Sequence, residues 1–75
     1  MSVKNLYTEK LKKMSEDELL NEIEKHGKIM ERKEPMTKDE KARALMCFRY
    51  AMNLPDIGNE NRLMLATAIR VLRIL

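Results

Sequence analysis

The C-terminal segment 59–75 constrains the fold more than any other part of this 75-residue chain. It contains neither Gly nor Pro, and Glu60 to Leu75 predict one helix about 24 Å long at about 1.5 Å per residue. From Arg62 onward its polar side chains fall within an arc of about 140° on a helical wheel, and its other residues are apolar, which leaves an arc of about 220°. A typical surface helix buries a narrower stripe, so we expect this helix to be covered over more than half of its circumference. The polar positions are Arg62, Thr67, Arg70 and Arg73.

Three earlier segments carry helical patterns with start and stop signals. Ser2–Lys13 predicts a short helix, because its apolar residues recur at helical spacing. The tetrapeptides SEDE at 15–18 and TKDE at 37–40 are capping boxes, in which the hydroxyl accepts a helix amide and the Glu side chain reaches back to the cap. The first opens a helix that we expect to end at the residue before Pro35. The second opens a helix predicted from Lys38 to about Asn53.

The linker LPDIG at 54–58 interrupts the helical pattern, and we expect either Asp56 or Asn59 to cap the last helix. The apolar content is mostly Leu, Met, Ile and Ala, with two Gly and two Pro, which favours helix over sheet. The sequence therefore predicts a single all-α domain spanning residues 1–75. Its expected architecture is a compact bundle of three to four short helices, in which the last helix is strongly hydrophobic.

The predicted core follows from the apolar stripes of the first three helices. Gly27 lies within the second stripe and costs about 1 kcal/mol relative to Ala in a helix, so it indicates a close backbone approach or a kink. The methionines are expected to fill irregular gaps in the core, and a Met-lined groove for a partner helix is the alternative. The inward residues are expected to be Val3, Leu6, Tyr7, Leu11 and Met14, then Leu19, Leu20, Ile23 and Met30, then Ala44, Leu45, Phe48, Ala51 and Met52.

Residues suited to catalysis or metal binding are sparse. Glu22 and His26 are four residues apart on a helix, and we expect a solvated pair, because no third metal ligand accompanies them. Cys47 lies in an apolar stripe, which is typical of a small buried thiol rather than a nucleophile. Both glycines are isolated, so the sequence has no glycine-rich phosphate loop. We expect a non-enzymatic protein with no metal, no cofactor and no small-molecule substrate.

The net charge of +3 is unevenly distributed along the chain. Residues 1–41 carry ten basic and ten acidic side chains, whereas residues 42–75 carry five arginines and two acids. Arg62, Arg70 and Arg73 lie on one face of the last helix, where they either cover apolar surface with their stems or contact phosphates. A small DNA-binding regulator is therefore the alternative function. Few polar side chains lie near the start of this helix to read base edges, which weakens that alternative.

The chain has no run of about 20 apolar residues, and its first residues lack the apolar core of a secretory signal. A single cysteine excludes an intrachain disulfide, which fits a reducing compartment. We therefore expect a cytoplasmic protein without a membrane span.

The wide apolar arc of the last helix predicts association with a protein partner. Two copies that meet about a twofold axis would complete the cover of such a helix, so a homodimer is expected. A small protein of this kind would act as a regulator, adaptor or inhibitor by binding another macromolecule. The expected interface residues are Leu65, Ile69, Leu72 and Leu75, with Arg62, Arg70 and Arg73 as a charged rim.

Overall fold

The computed structural model describes residues 3–75, with side chains described from residue 6 onward. This part of the chain forms four α-helices and no strand, which confirms the all-α prediction. None of these helices is long and apolar enough to cross a bilayer. The predicted helix start at Ser2 and the inward side chain of Val3 lie outside the described part. The helices are α1 (Val3–Lys12), α2 (Glu16–Glu31), α3 (Lys38–Met52) and α4 (Asn59–Ile74).

Both predicted capping boxes are confirmed. Ser15 Oγ accepts from the Glu18 amide at 3.2 Å, and the Ser15 amide donates to Glu18 Oε1 at 3.3 Å. Thr37 and Glu40 make the same reciprocal pair at 3.1 and 2.9 Å. These bonds satisfy amides that the first turn of a helix leaves without partners, so the starts of α2 and α3 are set locally.

The C-terminal end of α2 differs from the prediction. The helix ends at Glu31, earlier than Pro35 requires, and Arg32 is already extended. The Arg32 guanidinium donates to the carbonyl oxygens of Glu34 and Pro35 and to Glu40 Oε1. The Arg32 side chain thus holds the connection between α2 and α3 in place. Helix stop signals in the sequence do not predict this interaction.

The predicted cap of α4 was wrong. Neither Asp56 nor Asn59 caps the helix; the N-cap is Gly58, which has no side chain to accept a bond. Gly58 has a φ of +85°, a conformation that glycine adopts without steric cost. The linker therefore turns by backbone geometry, and Asn61 Nδ2 donates to the Ile57 carbonyl at 2.7 Å to support it.

Helix α3 is the centre of the fold, because each of the other three helices packs mainly against it. Four of its side chains are at most 1% exposed, and two of these are alanines that allow neighbouring helices to approach closely. The molecule measures 33 × 32 × 18 Å, so it is about two helix layers deep. The fully buried residues of α3 are Ala44, Cys47, Phe48 and Ala51.

Helix α4 is covered on one side only, so the expectation that it would be covered over more than half of its circumference was wrong for the described protomer. Its buried row, which joins the core with α3, consists of Leu65, Ile69 and Leu72. The other large apolar side chains of α4 are 40–85% exposed. We call these residues the outer arc: Leu63, Met64, Val71, Ile74 and Leu75.

The inward face of α2 is rotated relative to the prediction. Leu20 is 49% exposed, and His26 is buried on the side of Leu19. An added Cβ at Gly27 would meet nothing within 4 Å, so the expected close backbone approach is absent at this position. Leu6 of α1 is also exposed rather than inward. In each case the hydropathy pattern was compatible with burial of either of two adjacent helix faces. Packing against α3 determined which of the two was buried.

Candidate functional site

An open apolar groove lies between α2 and α4. Because both helices pack on α3 rather than extensively on each other, a space of about 770 Å³ remains between them. Its floor includes Phe48, and its polar lining comes only from α2. Gly27 contributes no side chain to the α2 wall and thereby widens the groove. The apolar lining residues are Leu20, Ile23, Gly27 and Met30 on α2, and Met64, Leu65, Ala68 and Val71 on α4.

The residues predicted to form an interface are divided by the structure. Leu65, Ile69 and Leu72 make up the buried row and already contact α3, so their side chains are not available to a partner. Leu75 is 49% exposed and belongs to the outer arc. The apolar surface that faces solvent therefore lies on a neighbouring face of the same helix. Hydropathy alone could not separate the two faces, because both are apolar.

The three arginines predicted to form a charged rim lie in two different environments. Arg62 Nη2 donates to the Leu54 carbonyl at 3.3 Å, so this guanidinium supports the linker. Arg70 and Arg73 instead border a cleft of about 330 Å³ between α3 and α4, together with Arg49. Among the described residues, none of the three arginines at this cleft (Arg49, Arg70 and Arg73) forms an ion pair.

Formal charge differs sharply between the helices. Helix α2 carries six acidic and two basic side chains, a charge of −4 with its histidine neutral. Helices α1, α3 and α4 each carry +2. The two walls of the groove therefore belong to helices of opposite charge.

A second polar cluster lies between α1 and α2. The Tyr7 hydroxyl donates to Glu22 Oε2 at 2.7 Å and lies 2.7 Å from His26 Nε2. The His26 ring also makes edge-to-face contacts with Tyr7 and Phe48, both at 6.1 Å between ring centroids. The expectation of a solvated Glu22–His26 pair was therefore wrong, because α1 covers the histidine and supplies a phenol between the two groups.

The hydrogen-bonding pattern fixes the state of His26. A phenol has one proton, and since Tyr7 donates it to Glu22, Nε2 must carry the hydrogen of the second bond. In the neutral ring, which burial favours, Nδ1 is then an acceptor, and among the described residues it has no hydrogen-bond partner. Burial lowers the pKa of His26, and the positive charges of Lys25 and Arg43 lower it further against the opposing effect of Glu22.

This cluster does not provide an activated nucleophile. Burial raises the pKa of the Cys47 thiol to about 12, so at neutral pH the thiolate needed for attack is scarcely populated. Burial also raises the pKa of Tyr7, and its hydrogen bond to Glu22 acts in the same direction. The adjacent cavity of about 400 Å³ includes Arg43 in its lining. We therefore interpret the cluster as a structural hydrogen-bonded network.

Stability should depend on pH through His26, the single histidine of the chain. Its pKa in the folded protein lies below the ordinary value of 6.5, so the unfolded chain binds a proton that the folded state resists. Stability is then full above about pH 6.5 and falls as the pH drops below it, by at most about 1.4 kcal/mol per pH unit. The urea midpoint, measured by circular dichroism between about pH 7 and about pH 5, should fall.

The control for this dependence is His26→Gln, whose urea midpoint should change much less over the same range, because the variant lacks the imidazole that takes up the proton. A wild-type midpoint that does not move with pH would contradict the assignment of a neutral, buried imidazole.

Within residues 3–75, no group of three or more His, Cys, Asp or Glu side chains is arranged to hold a metal ion. The groove, the outer arc and the three-arginine cleft are the features from which we argue function.

No family model, curated protein or solved structure matches this chain.

Proposed function

We propose that this protein is a non-enzymatic protein-interaction module that self-associates as a homodimer. In this proposal it acts as a regulator, adaptor or inhibitor by binding another macromolecule. The observation that carries the proposal is the outer arc of α4, in which Leu63 is 71% and Ile74 is 85% exposed. Large apolar side chains that are clustered and exposed to this degree mark interaction surfaces.

The exposed area is adequate for a modest interface. Burying the five outer-arc residues and Leu20 would remove on the order of 500 Å² from water in each protomer, against about 800 Å² per partner in a standard interface. Leu20, Met64 and Val71 also line the open groove between α2 and α4, to which Ile23 and Met30 add further apolar surface. The apolar surfaces of α4 and the groove together are therefore large enough for a specific contact.

Charge and symmetry favour a second copy of this chain as the occupant. Helix α4 carries +2 and would meet α2 of the other copy, which carries −4. Each copy presents both the outer arc and the groove. In a dimer with a twofold axis, the outer arc of each copy would contact the groove of the other, so neither surface would be left exposed. Arg70 and Arg73 would then lie at the edge of the contact, where long cationic side chains remain hydrated.

Self-association can be tested with two charge substitutions in the outer arc. Leu63→Asp and Ile74→Asp each place a carboxylate in the proposed apolar contact, and we expect dimerisation to weaken about a hundredfold or more. Both positions are exposed in the protomer, so the fold should be retained. Sedimentation equilibrium over micromolar to submillimolar concentrations measures the change, and circular dichroism checks the fold.

Leu6→Asp is the matched control. Leu6 is 57% exposed on α1 and lines the cavity beside His26 rather than the apolar groove, so the same substitution should leave association unchanged. Wild-type protein that remains a monomer at high micromolar concentration would contradict the homodimer. Equal weakening by Leu6→Asp would show that the effect is not local to α4.

The second candidate function is a small DNA-binding regulator. It is favoured by the exposed arginines of α3 and α4 that have no ion pair in the described structure. The outer arc, however, presents mostly apolar side chains, which do not suit a groove of DNA. Gel-shift assays with duplex DNA at about 50 and about 200 mM salt distinguish the two candidates, since a phosphate-binding protein loses affinity steeply over this range.

A further inference from the structure

We propose that the cleft between α3 and α4 is a binding site for a phosphate-bearing ligand. Three arginines line it, two from adjacent turns of α4 and one from α3. This placement comes from tertiary structure, because Arg49 is far from the other two in the sequence. The lining residues are Arg49, Met52, Asn53, Ala66, Ile69, Arg70 and Arg73.

The charge around the cleft is uncompensated. No acidic residue lines it, and its three arginines are exposed without an ion pair among the described residues. The ion pairs of the described chain all lie elsewhere: Lys12 pairs with Glu9, Lys28 with Glu24, and Arg32 with Glu40. Like charges around one concavity repel, and a bound anion would relieve that repulsion.

The donor geometry favours phosphate. Each guanidinium is a planar donor group that can bind two oxygens at once, and a phosphate offers several oxygens to groups that approach from different sides. The Asn53 side chain adds a neutral donor at the same cleft. Met52 and Ile69 add apolar surface to the same cleft.

This inference does not depend on self-association. The cleft lies between α3 and α4, whereas the apolar groove lies between α2 and α4. The same measurements can therefore be made on the Leu63→Asp variant, and phosphate binding should persist in it. Loss of dimerisation and loss of phosphate binding are then separate outcomes.

The test uses two probes: pyrophosphate, and a mixed-sequence single-stranded oligonucleotide of about 12 nucleotides. Isothermal titration calorimetry measures both affinities, with the probes compared at equal ionic strength and the series repeated at about 50 and about 200 mM salt. Arg49→Gln, Arg70→Gln and Arg73→Gln should each weaken binding about tenfold, since each removes one charge-assisted contact. The matched control is Arg43→Gln. Arg43 is exposed but lines the cavity beside His26, so its substitution should change the affinity by less than about twofold.

The two probes distinguish the source of the phosphate. Pyrophosphate binding that depends on the three arginines indicates a small phosphorylated ligand. Binding of the oligonucleotide alone indicates a nucleic-acid backbone, and each arginine variant should then reduce the slope of log K against log salt by about 0.7. Binding of neither probe, or equal weakening by Arg43→Gln, would overturn the proposed site.

Discussion

Phe48→Ala is expected to destabilise the protein by about 3–5 kcal/mol, the range for removing a fully buried aromatic ring. At about 0.05–0.15 kcal/mol per residue a chain of this length has a total stability of about 4–11 kcal/mol, so the loss would range from about a third of this stability to all of it. Phe48 is 1% exposed on the central helix, contacts the His26 ring edge to face and forms part of the groove floor. The cavity left by the substitution would therefore lie where α2, α3 and α4 come together.

Urea unfolding followed by circular dichroism measures this effect as a large fall in the midpoint. Met64→Ala is the control, because Met64 lines the same groove but is 56% exposed, and it should cost less than about 1 kcal/mol. Similar midpoints for Phe48→Ala and the wild type would show that α3 does not organise the core as described.

Tyr7→Phe is expected to cost about 1–3 kcal/mol, although it removes a single oxygen atom. The hydroxyl is the shared partner of Glu22 Oε2 and His26 Nε2, so its loss leaves a half-buried carboxylate and a buried ring nitrogen without that hydrogen bond. The penalty arises because both groups have left water and cannot recover the bonds that they made there. The variant keeps the ring and hence the edge-to-face contact with His26.

Tyr50→Phe is the matched control for the tyrosine substitution. Tyr50 is half-buried against the core, and its hydroxyl has no hydrogen bond to any described residue. Its substitution should shift the urea midpoint much less than Tyr7→Phe does. Equal effects at the two positions would indicate that ring packing, rather than the hydroxyl network, determines the stability contributed by Tyr7.

Three faces of α4 differ in what they contact. The buried row holds the helix on α3, and the outer arc provides the apolar surface proposed for self-association. The arginine face borders the cleft proposed for phosphate. Because one helix carries all three, a ligand in the cleft would lie close to the rim of the proposed dimer contact. The sedimentation experiment repeated with pyrophosphate present would measure any coupling between the two sites.

The sequence was sufficient to predict the features that depend on neighbours along the chain. The all-α class follows from composition and periodicity, and the starts of α2 and α3 follow from capping boxes whose partners are three residues apart. The buried Cys47 followed from its place in an apolar stripe. Each of these depends on local hydrogen bonds or on the helical repeat, and the sequence specifies both directly.

Tertiary structure decided which of several chemically equivalent faces became buried. It divided the apolar residues of α4 between the buried row and the outer arc, and it exposed Leu20 while burying His26. It also placed Arg49 beside Arg70 and Arg73, and Tyr7 between Glu22 and His26. Hydropathy gives every apolar residue of a wide arc the same preference for burial. Which of them is covered depends on where the other helices lie, and in this protein that is determined by their common packing on α3.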